Sequence, residues 1–416
     1  MAAAIAALAI AGTATWSAFS SGTANAGSYF ATASSFGASC SNNVSTPIYL
    51  TGVENGRVSN LGSMSWSTVS GAVSPDSTVS RTGAYSLRAA PAGAAAYVQK
   101  LLVTVSVSYP TTAVARFAVR LDSPPSADAE LFRFITQSTG GGSVMLRYIA
   151  ATQKLAMSIR GTSGGTPTVV ESSGTVGAGT WYVIDVKYGV AGATHTVDWR
   201  VNGTAQTQGT AAGAADTVAN ALFGTGSAAT YTARYDDIMI TGAGTDYPLG
   251  PGGVHLLKPN GMGTSVNPGH FSEDDGTAID ANTWTRLDDV PGTSTTDYIR
   301  QTTASGGYVE LTYENTAHTC IRGVWGRVHF HYAGTNQTNW VKASMFDGTR
   351  ESVIKDGNWN DNVDTFSRQT TDVVKPLNAP WTQAAVNGLV GRFGFATDVS
   401  PPPMLDALLL EYEVQQ

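Results

Sequence analysis

The chain has 416 residues, of which 13 % are charged, with 24 Lys and Arg against 31 Asp and Glu and a formal net charge of −7 at pH 7. No basic stripe or acidic block runs along it, which excludes a phosphate-tracking face and a polybasic membrane patch; nucleic acid is not an expected partner. The length exceeds one ordinary hydrophobic core, so two domains are expected, and 46 glycines suit short strands joined by turns better than long helices.

Residues 2–11 (AAAIAALAIA) form an apolar run of signal-sequence length, too short to span a bilayer, and Ala24-Asn25-Ala26 fits the small-x-small rule for signal cleavage. Segment 1–26 is therefore expected to act in export, although no Lys or Arg precedes Arg57 to make the usual positive start. Residues 27–45 read as a polar linker, and no later stretch reaches about 18 apolar residues, so no stable membrane insertion is expected.

From residue 46 to 243, runs of four to eight residues rich in Val, Tyr, Phe and Ile alternate with Gly, Ser, Pro and Asn clusters, the pattern of strands and turns. Ala113–Leu121 is one such strand. Val144–Ile149 and Leu155–Ile159 are predicted to pair as a hairpin, as are Trp181–Val186 and His195–Val201, with Asn202-Gly203 a tight turn directly after. The Gly- and Pro-rich stretch Thr241–Gly263 reads as a linker, with the boundary placed near residue 245. Beyond it, strands are predicted at Tyr308–Tyr313, Val324–Tyr332, Trp340–Phe346 and Leu405–Val414, and a short helix at Trp381–Gly388. The expected fold is all-β, two β-sandwich (jelly-roll) domains in series over 46–245 and 246–416.

Three places in the first domain, Thr51 to Gly56 with Trp66, Arg81 to Arg88 (RTGAYSLR) and Tyr235-Asp236-Asp237-Ile238, together with the Gly179–Gly203 stretch, make it resemble the concanavalin A-like lectin and laminin-G-like jelly rolls. That resemblance implies a glycan or cell-surface polymer as partner. Leu249-Gly250, Val254 to Leu257 and Pro259-Asn260-Gly261-Met262-Gly263, followed by Trp284 and Leu287 to Val290, make the second domain resemble putative phage tail and prophage structural proteins. This second resemblance implies a virion location and association with other structural subunits, with an oligomer unsurprising. The N-terminal Ala14 to Ser20 and Gly27 to Phe30 stretches are similar to export signals of the TasA and camelysin group, which implies a secreted or cell-surface location.

In carbohydrate-binding modules of the first kind, residues matching Glu54, Asp236 and Asp237 hold a structural calcium, so the resemblance implies a calcium ion there, with Asp76 a further ligand. The plain alternative is that these carboxylates cap turns or face solvent. No E-x-D-x-x-E strand of the jelly-roll glucanases occurs; Asp185, Glu310 and Glu314 each stand alone and read as outward-facing strand residues, so no enzyme is expected. His329 and His331 would share one strand face without a third metal ligand, and no G-x-S-x-G elbow is present. Trp66, Trp181, Tyr182 and Trp199 suit either core packing or stacking on sugar rings, whereas Trp340 and Trp359, in polar turn-rich surroundings, are the candidate ligand-binding aromatics. Cys40 and Cys320 allow one long-range disulfide or two free thiols.

Overall fold

A computed structural model describes residues 44, 47–56, 58, 66–102, 108–290, 297–302, 307–332, 339–359, 363–369, 381–395 and 403–415. In chain order the first sixteen strands are β1 (Pro47–Thr51), β2 (Thr68–Ser70), β3 (Val73–Asp76), β4 (Ser86–Ala89), β5 (Ala92–Leu101), β6 (Thr112–Leu121), β7 (Ala129–Thr136), β8 (Ser143–Ile149), β9 (Lys154–Arg160), β10 (Thr168–Thr175), β11 (Trp181–Ala191), β12 (Thr194–Val201), β13 (Thr204–Ala205), β14 (Gly209–Ala212), β15 (Val218–Thr230) and β16 (Ala233–Thr241). They form two antiparallel sheets. The first runs β13-β12-β11-β6-β16-β4-β3, with β1 added on β16 and β14 on β12; the second runs β10-β9-β8-β7-β15-β5-β2.

Period-2 alternation explains how these sheets stack. On β8, Val144, Leu146 and Tyr148 are buried while Ser143, Met145, Arg147 and Ile149 between them are half-exposed. The buried set joins one apolar cluster fed by both sheets, including Phe117, Val119, Ile184 and Tyr235 from the first and Phe132, Phe134, Leu146 and Phe223 from the second. Phe117 lies 4.8 Å from Phe132 and 5.2 Å from Phe223, ring centre to ring centre, in tilted and edge-on packing. Trp66 and Trp199, weighed above as sugar-stacking residues, are core residues 2 % and 1 % exposed. The two predicted hairpins form: β8 pairs β9 with Ile149 opposite Lys154, and β11 pairs β12 with Ala191 opposite Thr194. Asn202 and Gly203 both have positive φ, the backbone a two-residue turn needs.

The later strands are β17 (Gly252–Leu257), β18 (Pro259–Met262), β19 (Phe271–Glu273), β20 (Ile299–Gln301), β21 (Tyr308–Tyr313), β22 (Ile321–Tyr332), β23 (Asn339–Phe346), β24 (Glu351–Trp359), β25 (Val363–Gln369), β26 (Val390–Phe395) and β27 (Pro403–Gln415). One sheet runs β19-β20-β27-β22-β25 with β17 on β27, the other β18-β21-β26-β23-β24. A second apolar cluster, with Val309, Leu311, Val328, Met345, Phe393, Leu405 and Leu408 among its members, packs them together. The short helix α1 (Gln383–Asn387) begins where the Thr382 hydroxyl accepts from the Ala385 N–H and stops at Gly388. The stretch read as a linker, Thr241–Gly263, holds β17 and β18. Cys320 is disulfide-bonded; Cys40 and the proposed export segment lie outside the described residues.

Between the two sandwiches a third apolar cluster takes Leu50, Val114, Met239, Leu249, Val254 and Trp325. Around it lie fully buried ion pairs: Arg116 reaches Glu413 at 2.8 Å, Arg322 also binds Glu413, and Arg327 binds Glu411 through Nε at 2.7 Å. Arg327 donates further to the Leu50 carbonyl and Arg322 to that of Leu249. A Cβ at Gly252 would overlap the ends of the Arg116 and Glu413 side chains, so any larger residue here would have to displace that ion pair.

Candidate functional site

Asp236 and Asp237 are neighbours on β16, where strict alternation would send one of them into the core. The β16–β6 register shifts between Asp236 and Met239, and Asp237 takes the left-handed conformation at φ 53°. Such a bulge re-aims a side chain, and it brings both carboxylates to the same loop, residues 81–84. Asp236 Oδ2 accepts from the backbone N–H groups of Arg81 (2.6 Å) and Thr82 (3.3 Å), and its Oδ1 from the N–H of Asp237 (2.7 Å). Asp237 Oδ2 pairs with the Arg81 guanidinium; its Oδ1 accepts from the Thr82 hydroxyl and, at 2.7 Å, from the Val254 N–H.

Glu54 joins this cluster from the turn after β1. Its Oε2 accepts from the Ala84 N–H at 2.6 Å, its backbone N–H donates to Glu411 at 3.0 Å, and Oε1 is buried without a hydrogen-bond partner. Gly83, at φ +60°, lies against this carboxyl so closely that a Cβ would overlap it. Burial pushes the Glu54 carboxyl up to about 9, with the charges of Glu411 and Asp237 adding to the rise. Burial, then the charge of Asp237, also raises Asp236 well above the ordinary carboxylate range.

The three residues expected to hold calcium are thus brought together, yet as arranged they do not fit one ion. Five of their six oxygens accept protein N–H or O–H groups, and the Arg81 guanidinium already answers Asp237. Among the described residues, only Glu273, Asp274 and Asp275 have carboxylate oxygens all within 4.8 Å of one another. Arg286 answers that group, with Nε 3.0 Å from Glu273 and Nη1 3.7 Å from Asp274. The Glu54 cluster instead brackets the second sandwich, since Arg81 donates to the Gly252 carbonyl at 2.7 Å and Thr82 to that of Val254 at 3.2 Å.

Other residues singled out from the sequence have structural partners. Asp185 is 1 % exposed, not outward-facing in solvent, and its Oδ1 accepts from the N–H groups of Leu249 (3.1 Å) and Gly250 (3.2 Å). Glu310 pairs with Arg392 at 2.8 Å, Asp76 accepts from the Thr78 N–H at 2.7 Å, and exposed Glu314 accepts from the Lys258 N–H at 3.2 Å. His329 is buried on β22; the His331 side chain lies outside the described residues. Trp340 and Trp359 lie at neighbouring register positions of β23 and β24, where 339 pairs with 359 and 340 with 358; their side chains also lie outside the described residues.

The two outer faces of the first sandwich differ. That of the first sheet carries Arg116, Asp185, Asp236 and Met239, all buried, because the chain from Leu249 to Val254 and strands β22 and β27 lie over it. On the second sheet, register aligns Gln99, Leu222, Arg133, Met145 and Ser158 in one row across β5, β15, β7, β8 and β9. Beside the row, Gln99 Nε2 donates to Asn220 Oδ1 at 2.8 Å, Arg133 pairs with Glu130 at 2.6 Å and Arg147 with Asp128 at 3.2 Å. Gln99, Arg133 and Met145 are half-exposed in this row, whereas Leu222 and Ser158 are buried, each 4 % exposed. Sequence reading missed the row, since its members sit singly on five strands and only the registers align them.

No family model matches the chain and no curated protein matches it. Solved structures similar to it include a cellulose-induced protein, Cip1, at 16 % identity over 41 % of this chain and 85 % of that one, TM-score 0.32. A Bacillus subtilis protein of unknown function with a galectin-like fold gives 10 % identity over 48 % of this chain and 96 % of that one, TM-score 0.35. The carbohydrate-binding module CBM66 from Bacillus subtilis gives 9 % identity over 42 % and 94 %, TM-score 0.29. Likeness at this level carries nothing about ligand or activity.

Proposed function

We propose that this chain is a non-catalytic attachment protein whose first sandwich holds a glycan or cell-surface polysaccharide across the outer face of its second sheet. One observation carries the reading: the first sheet's outer face is taken up by the second sandwich, while the row from Gln99 to Ser158 enters none of the described bonds between the sandwiches. The half-exposed Gln99, Arg133 and Met145 offer an amide, a guanidinium and a thioether to a sugar ring, which presents hydroxyl edges and weakly apolar faces. The lectin-like motifs around Glu54, Arg81 and Asp236 in the sequence point the same way. In this reading the protein works outside the cell or at its surface, and the second sandwich fixes the orientation of the first.

The deciding experiment is retention of the full chain on a panel of insoluble and immobilised polysaccharides, with wild type compared to the double variant Gln99→Ala, Arg133→Ala. Binding that weakens at least about ten-fold in the variant, which corresponds to the roughly 1.4 kcal/mol expected from two lost polar contacts, supports the reading. Retention on none of the polymers, or release of reducing ends from any of them, sinks it. Neighbouring capsid or tail genes would place the same attachment role on a virion, whereas neighbouring signal-peptidase or cell-wall genes would place it on a secreted surface protein.

A further inference from the structure

His255 on β17 pairs across the ladder with Tyr412 on β27, and its ring stacks on that of His318, from the turn before β22, with centres 4.6 Å apart and planes at 28°. Tyr412 closes the group: its ring lies 5.5 Å from His255, and its hydroxyl is 2.9 Å from both Thr316 Oγ1 and His318 Nδ1. Thr316 Oγ1 is also 3.2 Å from His318 Nδ1, so the threonine and tyrosine hydroxyls hold the His318 ring in place against His255. Two cationic imidazoles at this separation repel each other.

We infer that the stacked pair His255 and His318 is an acid-sensitive contact that loosens the attachment of β17, and with it the junction between the sandwiches. The neighbouring strand positions explain the reach, since Gly252 and Val254 on β17 take the bonds of Arg81, Thr82 and Asp237 described above. The groups facing His255 are His318 and Tyr412, with Asp237 and Glu413 on the junction side and Glu314 beyond Tyr412. Glu413 is already tied to Arg116 and Arg322, and Asp237 to Arg81, so neither carboxylate is left to take up an imidazolium. Burial first, then His318, lowers His255 below its ordinary value of 6.5. The opened form therefore binds more protons as pH falls through that range, and the closed junction is lost in the acid direction.

The test is cleavage of the full chain within residues 241–263 by a protease whose activity is normalised at each pH, between pH 7.5 and 5.5. Wild type should open by up to about ten-fold per pH unit, the limit for one extra proton bound. His255→Phe and His318→Phe, which keep a flat ring and remove the charge, should lack this rise in cleavage toward acid pH. A flat wild-type profile, or one shared by the variants, overturns the inference. Should either phenylalanine variant fail to fold, His255→Gln serves for the same comparison.

Discussion

The outer faces of the two sheets of the first sandwich start from similar side chains and end in opposite conditions. Arg116 on β6 and Arg133 on β7 are both outward-facing arginines of central strands, each within salt-bridge distance of a glutamate. Arg116 is fully buried, because its partner Glu413 comes from the second sandwich, whereas the Arg133 side chain is 26 % exposed and its partner Glu130 lies three residues away on the same strand. Burial, not residue type, therefore decides which arginine holds the molecule together and which stays at the surface.

The largest break in that comparison is Glu413→Ala, which strands Arg116 and Arg322 in a dry junction. A loss of about 3–5 kcal/mol is expected, read as a drop in the urea midpoint at constant pH; a drop no larger than that of a surface variant would mean water enters the junction. Next comes Glu54. Because its carboxyl is raised to about 9 from 4.5, the folded state keeps a proton that the unfolded chain loses, so stability is fullest below pH 4.5 and falls as pH rises through 9. Glu54→Gln should flatten that slope, which is at most about 1.4 kcal/mol per pH unit for one proton. Millimolar calcium is expected to leave the wild-type melting temperature unchanged at pH 7; a rise lost in Asp237→Ala would mean that an ion displaces Arg81 or the Glu54 proton. The smallest effect is the stability cost of Arg133→Ala, about 1 kcal/mol, because the half-exposed arginine leaves behind the buried carboxyl of Glu130; a cost of several kcal/mol would show that the second sheet's face also supports the fold.

Much of the first sandwich was legible because its strands announce themselves locally. The 143–160 and 181–201 hairpins combine alternation with a turn signal, and Asn202-Gly203 allows little else. The junction was not legible. Glu411 and Glu413 lie two apart on β27, and Arg322 and Arg327 on β22, so each reads as an ordinary charge on a solvated strand face; nothing local reveals a second sandwich on the other side. Gly252 misled in the opposite sense, since a glycine needed for close approach looks in sequence like one needed for slack, and β17 was read as linker. Among the candidate site residues, Glu54, Asp236 and Asp237 could be placed together because a sandwich brings its first and last strands side by side. Their partner Arg81 opens the separate Arg81 to Arg88 motif and gives no sign of this role, because a guanidinium that closes a carboxylate cluster has no spacing signature.

The place of β27 sets an order of events during synthesis. The last strand of the first sandwich ends at Thr241, while the second sandwich has at the centre of one sheet a strand, residues 403–415, that pairs with β17, β20 and β22. On the ribosome the first sandwich can therefore complete its hydrogen-bonded sheets about 160 residues before the second has the strand around which it closes. Throughout that interval Arg116 lacks Glu413, the partner that later encloses it, so the nascent protein passes through a stage in which part of its future interior is a charged exterior.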